Sequence, residues 1–177
     1  IYSGNTYVSG DLASGNLVTK NSGGLTVVTN NPVYIQGNYN TSGKPTAVIC
    51  DSVNILSNSW DDSKSGQVLN NRTASETTVK TAFIAGVDTT TLGHYNGGLE
   101  NYLRLLENWS SKNLNVTGCF VELWNTQAAT GNWIGPGSYY NAPVRNWSYD
   151  TNFASGNTLP PFHPHAIDAQ RSAWWKQ

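Results

Sequence analysis

The sequence predicts a mainly β protein: a parallel β-solenoid (β-helix) with coils of about 20 residues, one packed α-helix and an extended aromatic C-terminal tail. Three observations support this prediction. A pattern recurs at a spacing of 20 residues near the N-terminus, one later segment has helical periodicity, and the C-terminal part is rich in Trp, Tyr and Pro. A solenoid coil cannot bury its inward face alone, so stacked coils repeat the same inward positions. We expect a single domain over residues 1–177.

The recurring pattern begins at Thr6 (TYVSGDLA), Thr26 (TVVTNNPV) and Thr46 (TAVICDSV). Its copies share a β-branched run followed by Asp or Asn, which suits a corner because its side chain bonds nearby backbone. The seven apolar side chains that we expect to point inward in stacked columns are Val8, Val28, Val33, Ile35, Val48, Val53 and Ile55. The alternative is that Thr-x-Val pairs recur by chance in a Thr- and Val-rich β protein.

The regular coils are expected to span residues 1–60 and to be followed by an excursion loop and a short strand over 61–95. A helix is expected over 96–110, because five apolar residues follow the i, i+3, i+4, i+7 pattern of one apolar stripe. The stripe consists of Leu99, Tyr102, Leu103, Leu106 and Trp109. On the opposite face, Glu100, Arg104 and Glu107 are expected to face water.

A strand and a loop are expected over 111–135, the strand itself over 113–124, and an extended tail over 136–177. Proline keeps such a tail from forming a helix. An extended tail stays ordered only by burying large side chains, so we expect Trp147 and at least one of Trp174 and Trp175 to be buried.

Charged residues make up 12% of the chain and the net charge is −1, which argues against nucleic acid or an anionic membrane surface as a partner. The neutral Asn, Thr, Ser and Gly content is typical of secreted proteins, so we expect an extracellular, cell-surface location. No apolar run approaches the ~20 residues that span a bilayer, so we expect no membrane insertion by this chain. The chain starts at Ile1 and lacks methionine, so we expect that an upstream segment was removed.

Cys50 and Cys119 are the only cysteines of the sequence, and each lies within a hydrophobic run. In a secreted protein an even number of cysteines suggests a disulfide between them. The alternative is two buried free thiols, since free cysteine is among the most buried residue types.

The acidic pair Asp61-Asp62 resembles the paired aspartates of β-helical polygalacturonases, which also carry Gly-His-Gly and Arg-x-Lys motifs. Here Gly93-His94 is followed by Tyr95, and the sequence contains no Arg-x-Lys. We therefore expect no catalytic residues and no enzymatic activity. The His163-Pro164-His165 motif lacks an indicated third ligand, so we expect no metal and no cofactor.

Aromatic side chains stack on sugar rings, which makes four of them candidate ligand-binding residues: Trp60, Trp133, Tyr139 and Tyr140. The alternative is that these rings fill the core or anchor the tail. Glycans are therefore a candidate class of partner.

Several blocks of the sequence resemble the C-terminal region of certain large bacterial surface proteins. The blocks are PTAVICDSVNILSNSWDD, NGGLENYLRLLENW, TQAATGNW, YYNAPVRNWSYDTNF and LPP. The resemblance runs from about Pro32 to Trp175, to proteins with PilX-like or pilin-like N-terminal segments that are associated with type IV pilus assembly. It implies a β-rich part that faces outward from a membrane or filament.

The function that follows is a non-enzymatic extracellular structural module of a bacterial cell-surface or pilus-like filament. Its expected partners are other protein subunits, met by self-assembly or through a pilin-like helical partner. A carbohydrate-binding or adhesive β-helix domain is the first alternative, and a polysaccharide-active enzyme is the second.

Overall fold

The computed structural model describes residues 24–86, 102–123 and 138–162, together with the backbone of 6–10. In these ranges the protein is mainly β, as predicted, and its nine strands form one parallel sheet. The strands are β1 (Thr6–Gly10), β2 (Leu25–Val28), β3 (Val33–Tyr39), β4 (Thr46–Ile49), β5 (Val53–Leu56), β6 (Thr77–Ala85), β7 (Arg104–Leu105), β8 (Asn113–Glu122) and β9 (Val144–Tyr149). The helical elements described are short 3-10 helices: Asp62–Lys64, Leu69–Asn71, Thr151–Ala154 and Gly156–Thr158.

The strand pairs form three ladders. The first ladder contains β2, β4 and the second halves of β6 and β8, while the second contains β1, β3, β5 and β7. The third ladder contains the end of β3, the first halves of β6 and β8, and β9. From β2 to the first half of β8, successive segments of the chain pair in the first, then the second, then the third ladder, and this order repeats.

The three ladders share one hydrophobic core. Val48 and Phe83 from the first ladder, Ile35 and Ile55 from the second, and Val79 from the third all belong to one cluster of buried side chains. Side chains alternate between the two faces of a strand, so each ladder turns one face toward this cluster. The sheet therefore bends around a common interior.

The predicted 20-residue register is confirmed between β3 and β5 and is wrong by one residue between β2 and β4. It is also wrong for β1, because Val8 pairs with Ile35 in the second ladder and not with Val28. Val33 pairs with Val53 and Ile35 pairs with Ile55, and all four are buried. In the first ladder it is Val27 that pairs with Val48, whereas Val28 is 66% exposed. Four residues join β2 to β3 but three join β4 to β5, so the longer corner shifts β2 by one position. A shift of one residue moves a side chain to the opposite face.

This register predicts that replacement by threonine has a small effect on stability at Val28 and a large one at Val48. Val28→Thr is expected to change the free energy of unfolding by less than about 0.5 kcal/mol, because the side chain is at the surface. Val48→Thr is expected to cost about 1–3 kcal/mol, because it buries a hydroxyl group in an apolar core. Denaturant unfolding of both variants tests the pair, and equal losses would contradict the observed register.

The predicted helix over 96–110 is wrong in its described part, and 96–101 lie outside the described residues. Residues 102 and 103 form a bend, with a φ of 53° at Leu103, and β7 follows directly. The described ranges contain no α-helix. Burial alternates here: Leu103, Glu107 and Trp109 are buried, while Leu106 is half-buried. Burial of Leu103 and Trp109 is confirmed, but Glu107, expected to face water, is only 1% exposed.

The C-terminal tail was expected to be extended, and its described part begins as a strand of the sheet. β9 pairs in parallel with the first half of β8 over six residues. Trp147, which was expected to be buried, is 38% exposed, because the described sheet ends at its strand. Trp174 and Trp175 lie outside the described residues.

After β9 the chain returns along the outside of the first ladder. The hydroxyl of Thr26 on β2 donates a hydrogen bond to the carbonyl of Pro161. Ala47 and Ala82 point away from the common core, because they alternate with Val48 and Phe83, yet they are 1% and 7% exposed. The segment 150–162 therefore runs from β9 back to β2.

The structure does not join Cys50 to Cys119; both are free thiols. Cys50 lies in the common core directly after β4, while Cys119 lies on β8, two strands away in the first ladder. Two strand spacings are about 10 Å, which exceeds the Cα separation of about 7 Å that a disulfide tolerates. Burial raises the pKa of the Cys50 thiol to about 12, so it stays protonated at neutral pH.

Candidate functional site

The structure describes three of the four aromatic residues predicted to bind a ligand, Trp60, Tyr139 and Tyr140. Trp60 is half-buried after β5, and its indole Nε1 donates a 2.6 Å hydrogen bond to Asp62. Tyr139 is half-buried and Tyr140 is 41% exposed, and both precede β9. Trp60 and Tyr140 form no ring contact with each other, and Trp133 lies outside the described residues.

The acidic pair forms a polar turn. Asp61 accepts hydrogen bonds from the Ser63 amide at 3.0 Å and from the Ser63 hydroxyl at 2.7 Å, which caps the 3-10 helix Asp62–Lys64. The same bonds to Ser63 lower the pKa of the Asp61 carboxyl. A general acid of a glycosidase needs a raised pKa, so the electrostatics of this turn oppose that role.

β9 is exposed along its whole length, and one edge of its backbone lacks a partner among the described strands. Its six residues are all exposed, and β8 is the strand paired with it. The amide of Val144 donates to Lys112 at 2.8 Å, and that of Asp150 donates to Gly118 at 3.1 Å. Backbone groups alternate in direction along a strand, so those of Arg145, Trp147 and Tyr149 point away from β8.

The aromatic interior opens to solvent at β9. Phe83 is fully buried and stacks on Phe120, with ring centroids 5.4 Å apart and an angle of 8° between the planes. Phe120 is 39% exposed and contacts Trp147 at 5.4 Å. Next to them, Tyr149 is 57% exposed and contacts the edge of Phe153. A row of aromatic rings therefore leads from the core to the free edge.

Hydrogen bonds between polar side chains on neighbouring strands fix the register of β9. Asn146 donates to Asn115 at 3.0 Å, and Asn115 donates to Thr78 at 3.2 Å, so three strands are joined by one chain of hydrogen bonds. In the segment before β9, Asn141 donates to Asn108 at 3.0 Å. These amides lie at successive strands, which holds β9 as a well-defined member of the sheet.

Opposite charges mark the two ends of β9. Arg145 lies near its start, with the guanidinium carbon 5.2 Å from the centroid of the Trp147 ring. Asp150 directly follows its end and accepts a 3.0 Å hydrogen bond from the amide of Asn152. No other charged residue occurs from Val144 to Asp150. Between Arg145 and Asp150 the strand therefore carries only neutral side chains, two of them the aromatic Trp147 and Tyr149.

A buried carboxylate lies at a corner of the core. Glu107 accepts hydrogen bonds from both the amide and the hydroxyl of Ser57, each at 2.6 Å. Burial raises the pKa of the Glu107 carboxyl, while the bonds to Ser57 and the positive charge of Arg72 act in the opposite direction. Because Glu107 is 1% exposed, this cluster holds the chain together where β5 ends and is closed to a substrate.

Sequence reasoning missed β9 as the candidate interaction surface. The alternation of V-R-N-W-S-Y is a strand signal, but the prolines before and after it favoured an irregular tail. Within the described ranges, no group of three or more His, Cys, Asp or Glu side chains has the arrangement of a metal site. The same ranges contain no helix long and apolar enough to cross a membrane.

Comparisons with known proteins give no relative for this chain. No protein-family model matches it. No curated protein and no solved structure matches it either.

Proposed function

We propose that the chain is a β-solenoid that serves as a non-enzymatic extracellular structural module of a bacterial cell-surface or pilus-like filament. The observation that supports this most is the repeated visit of the chain to three parallel ladders around one core. Each turn of such a chain stacks on the one before it, which gives an elongated, self-supporting body. Bodies of this kind serve as spacers and display modules.

The acidic residues support a structural role over a catalytic one. Asp61 and Asp62 cap a surface turn and bind Trp60, and Glu107 binds Ser57 inside the protein. A retaining or inverting glycosidase needs two carboxylates that face one open cleft. These carboxylates are instead engaged in hydrogen bonds within the protein.

The pilus-like setting is supported by the sequence blocks that resemble type IV pilus-associated surface proteins. One block ends at Trp109, a fully buried core residue, and another contains β9. The blocks therefore include positions that the fold depends on as well as surface positions. On this proposal, protein subunits of the filament, or a pilin-like helical partner, are what the module contacts.

Immunogold electron microscopy of intact cells tests the proposal. An antibody raised against the folded chain is expected to label the cell surface or surface filaments, and shearing is expected to release the label with the filaments. Cells that lack the pilus-assembly ATPase serve as the control, because filament-bound label should disappear from them. Label confined to the cytoplasm would contradict the proposal.

Carbohydrate binding is the second candidate, and the exposed rings of the C-terminal region favour it. Tyr140 and Tyr149 are 41% and 57% exposed, which leaves ring surface free to stack on a sugar. A glycan array with the native chain and a Tyr140→Ala, Tyr149→Ala double variant tests this candidate. Binding that the double variant loses would support it, and no binding by the native chain would remove it.

A further inference from the structure

We propose that β9 is a dimer interface, at which a second copy of this chain adds its own β9 in antiparallel orientation, centred on Trp147. The proposal rests on the proposed function only in taking the partner to be a protein subunit. It takes that protein subunit to be a second copy of this chain.

The backbone of β9 has the geometry that this pairing needs. The amide and carbonyl groups of Arg145, Trp147 and Tyr149 point away from β8. In an antiparallel pair centred on Trp147, each Trp147 faces its equivalent, and each Arg145 faces Tyr149 of the second copy. All three facing pairs then consist of residues with outward groups, and each such pair exchanges two hydrogen bonds.

The charges of β9 favour pairing with itself in this orientation. Its cation, Arg145, is near the start, and the anion, Asp150, follows the end. Antiparallel pairing brings the positive start of one strand to the negative end of the other, whereas parallel in-register pairing would place like charges together. Arg145 also comes beside the Tyr149 ring of the second copy, and arginine binds aromatic faces well.

β9 has only one of the features that protect most edge strands, the charge of Arg145. Exposed edges usually carry lysine, proline, a bulge or an inward charge that prevents further pairing. Val144 to Tyr149 contains none of these except one arginine, and β9 pairs with β8 without a register shift. A second copy would also cover Phe120 and Trp147, the exposed end of the aromatic stack.

Arg145→Pro tests the interface with little expected effect on the fold. Proline lacks the outward amide at 145, and its ring blocks an approaching strand, but no hydrogen bond to β8 is lost. The dimer is symmetric, so the substitution removes one interchain hydrogen bond at each of two equivalent positions. The dissociation constant of the dimer is therefore expected to rise by about 100-fold or more. Arg145→Ala keeps the amide and is expected to weaken the dimer much less.

Sedimentation equilibrium of the full chain over micromolar concentrations is the measurement. A native dimer that becomes monomeric in Arg145→Pro, with unchanged circular dichroism, is the expected result. Asn146→Pro is the matched control, because its amide faces β8, and it should destabilise the fold itself. A native chain that stays monomeric would overturn the dimer while leaving surface display to be tested by microscopy.

Cysteine cross-linking tests the orientation. A mixture of Arg145→Cys and Tyr149→Cys chains is expected to cross-link under mild oxidation, because antiparallel pairing places these positions opposite each other. Arg145→Cys chains alone should not cross-link through position 145. Efficient cross-linking of Arg145→Cys chains to themselves would overturn the antiparallel arrangement.

Discussion

Replacing Trp109 by alanine is expected to lower the free energy of unfolding by about 3–5 kcal/mol. Trp109 is fully buried and belongs to the common core. It also lies where the chain crosses between strands: its amide donates to Asn141 at 3.2 Å, and its carbonyl accepts from Lys112 at 2.9 Å. A cavity at this position would loosen the segments that precede both β8 and β9. Urea unfolding followed by far-ultraviolet circular dichroism measures the loss.

Trp109→Phe is the matched control for this prediction. Within the described part of the chain, the buried indole Nε1 has no hydrogen-bond partner, so phenylalanine removes a polar group that gains nothing from burial. Most of the apolar volume remains, and we expect a loss of less than about 1.5 kcal/mol. A loss below about 1 kcal/mol for Trp109→Ala would show that the core is not built around this residue.

The mainly β, parallel character of the fold was predictable from the sequence, because inward positions repeat. Val33 and Val53, and Ile35 and Ile55, pair as the 20-residue period predicts. The period failed for Val28 because it assumed corners of equal length. Corner length depends on local turn geometry, and a difference of one residue leaves the composition of the pattern almost unchanged while it reverses which side chains face inward.

The alternating burial of residues 102–109 was not predictable from hydrophobicity, because Leu106 and Glu107 break the expected alternation of apolar and polar side chains. Glu107 is at an inward position and Leu106 is at the intervening one, so the apolar residues matched a helical stripe. The buried carboxylate is tolerated because Ser57, fifty residues earlier, supplies two donors. A long-range polar contact of this kind leaves no local signal in sequence.

The candidate interaction surface was also only partly visible in the sequence. The aromatic content of the tail indicated that its rings matter, but not which of them would be exposed. Trp147 contacts Phe120, yet it lies on the last described strand of its ladder and its side chain is 38% exposed. Which strand ends a stack is a property of the whole chain and not of the strand.

Replacing Glu107 by alanine is expected to cost about 2–4 kcal/mol, because the buried amide and hydroxyl of Ser57 lose their acceptor. Glu107→Gln is the matched variant: its carbonyl oxygen can accept from the Ser57 amide, and its amide can donate to the Ser57 hydroxyl. We therefore expect glutamine to retain most of the stability that alanine loses. Guanidinium unfolding at one pH compares the three chains, and equal losses for both variants would contradict the assignment.

The dependence of this stability on pH has a definite sign. Burial raises the pKa of Glu107 in the folded chain above its usual value near 4.3, so the folded state binds the proton more tightly than the unfolded state. This contribution to stability is fully present below the usual value and is lost as pH rises through the raised pKa. Glu107→Gln does not titrate, so its stability relative to the native chain should increase as pH rises through that window. Unfolding curves at a series of pH values test this, and a constant difference between the two chains would show that Glu107 titrates alike in both states.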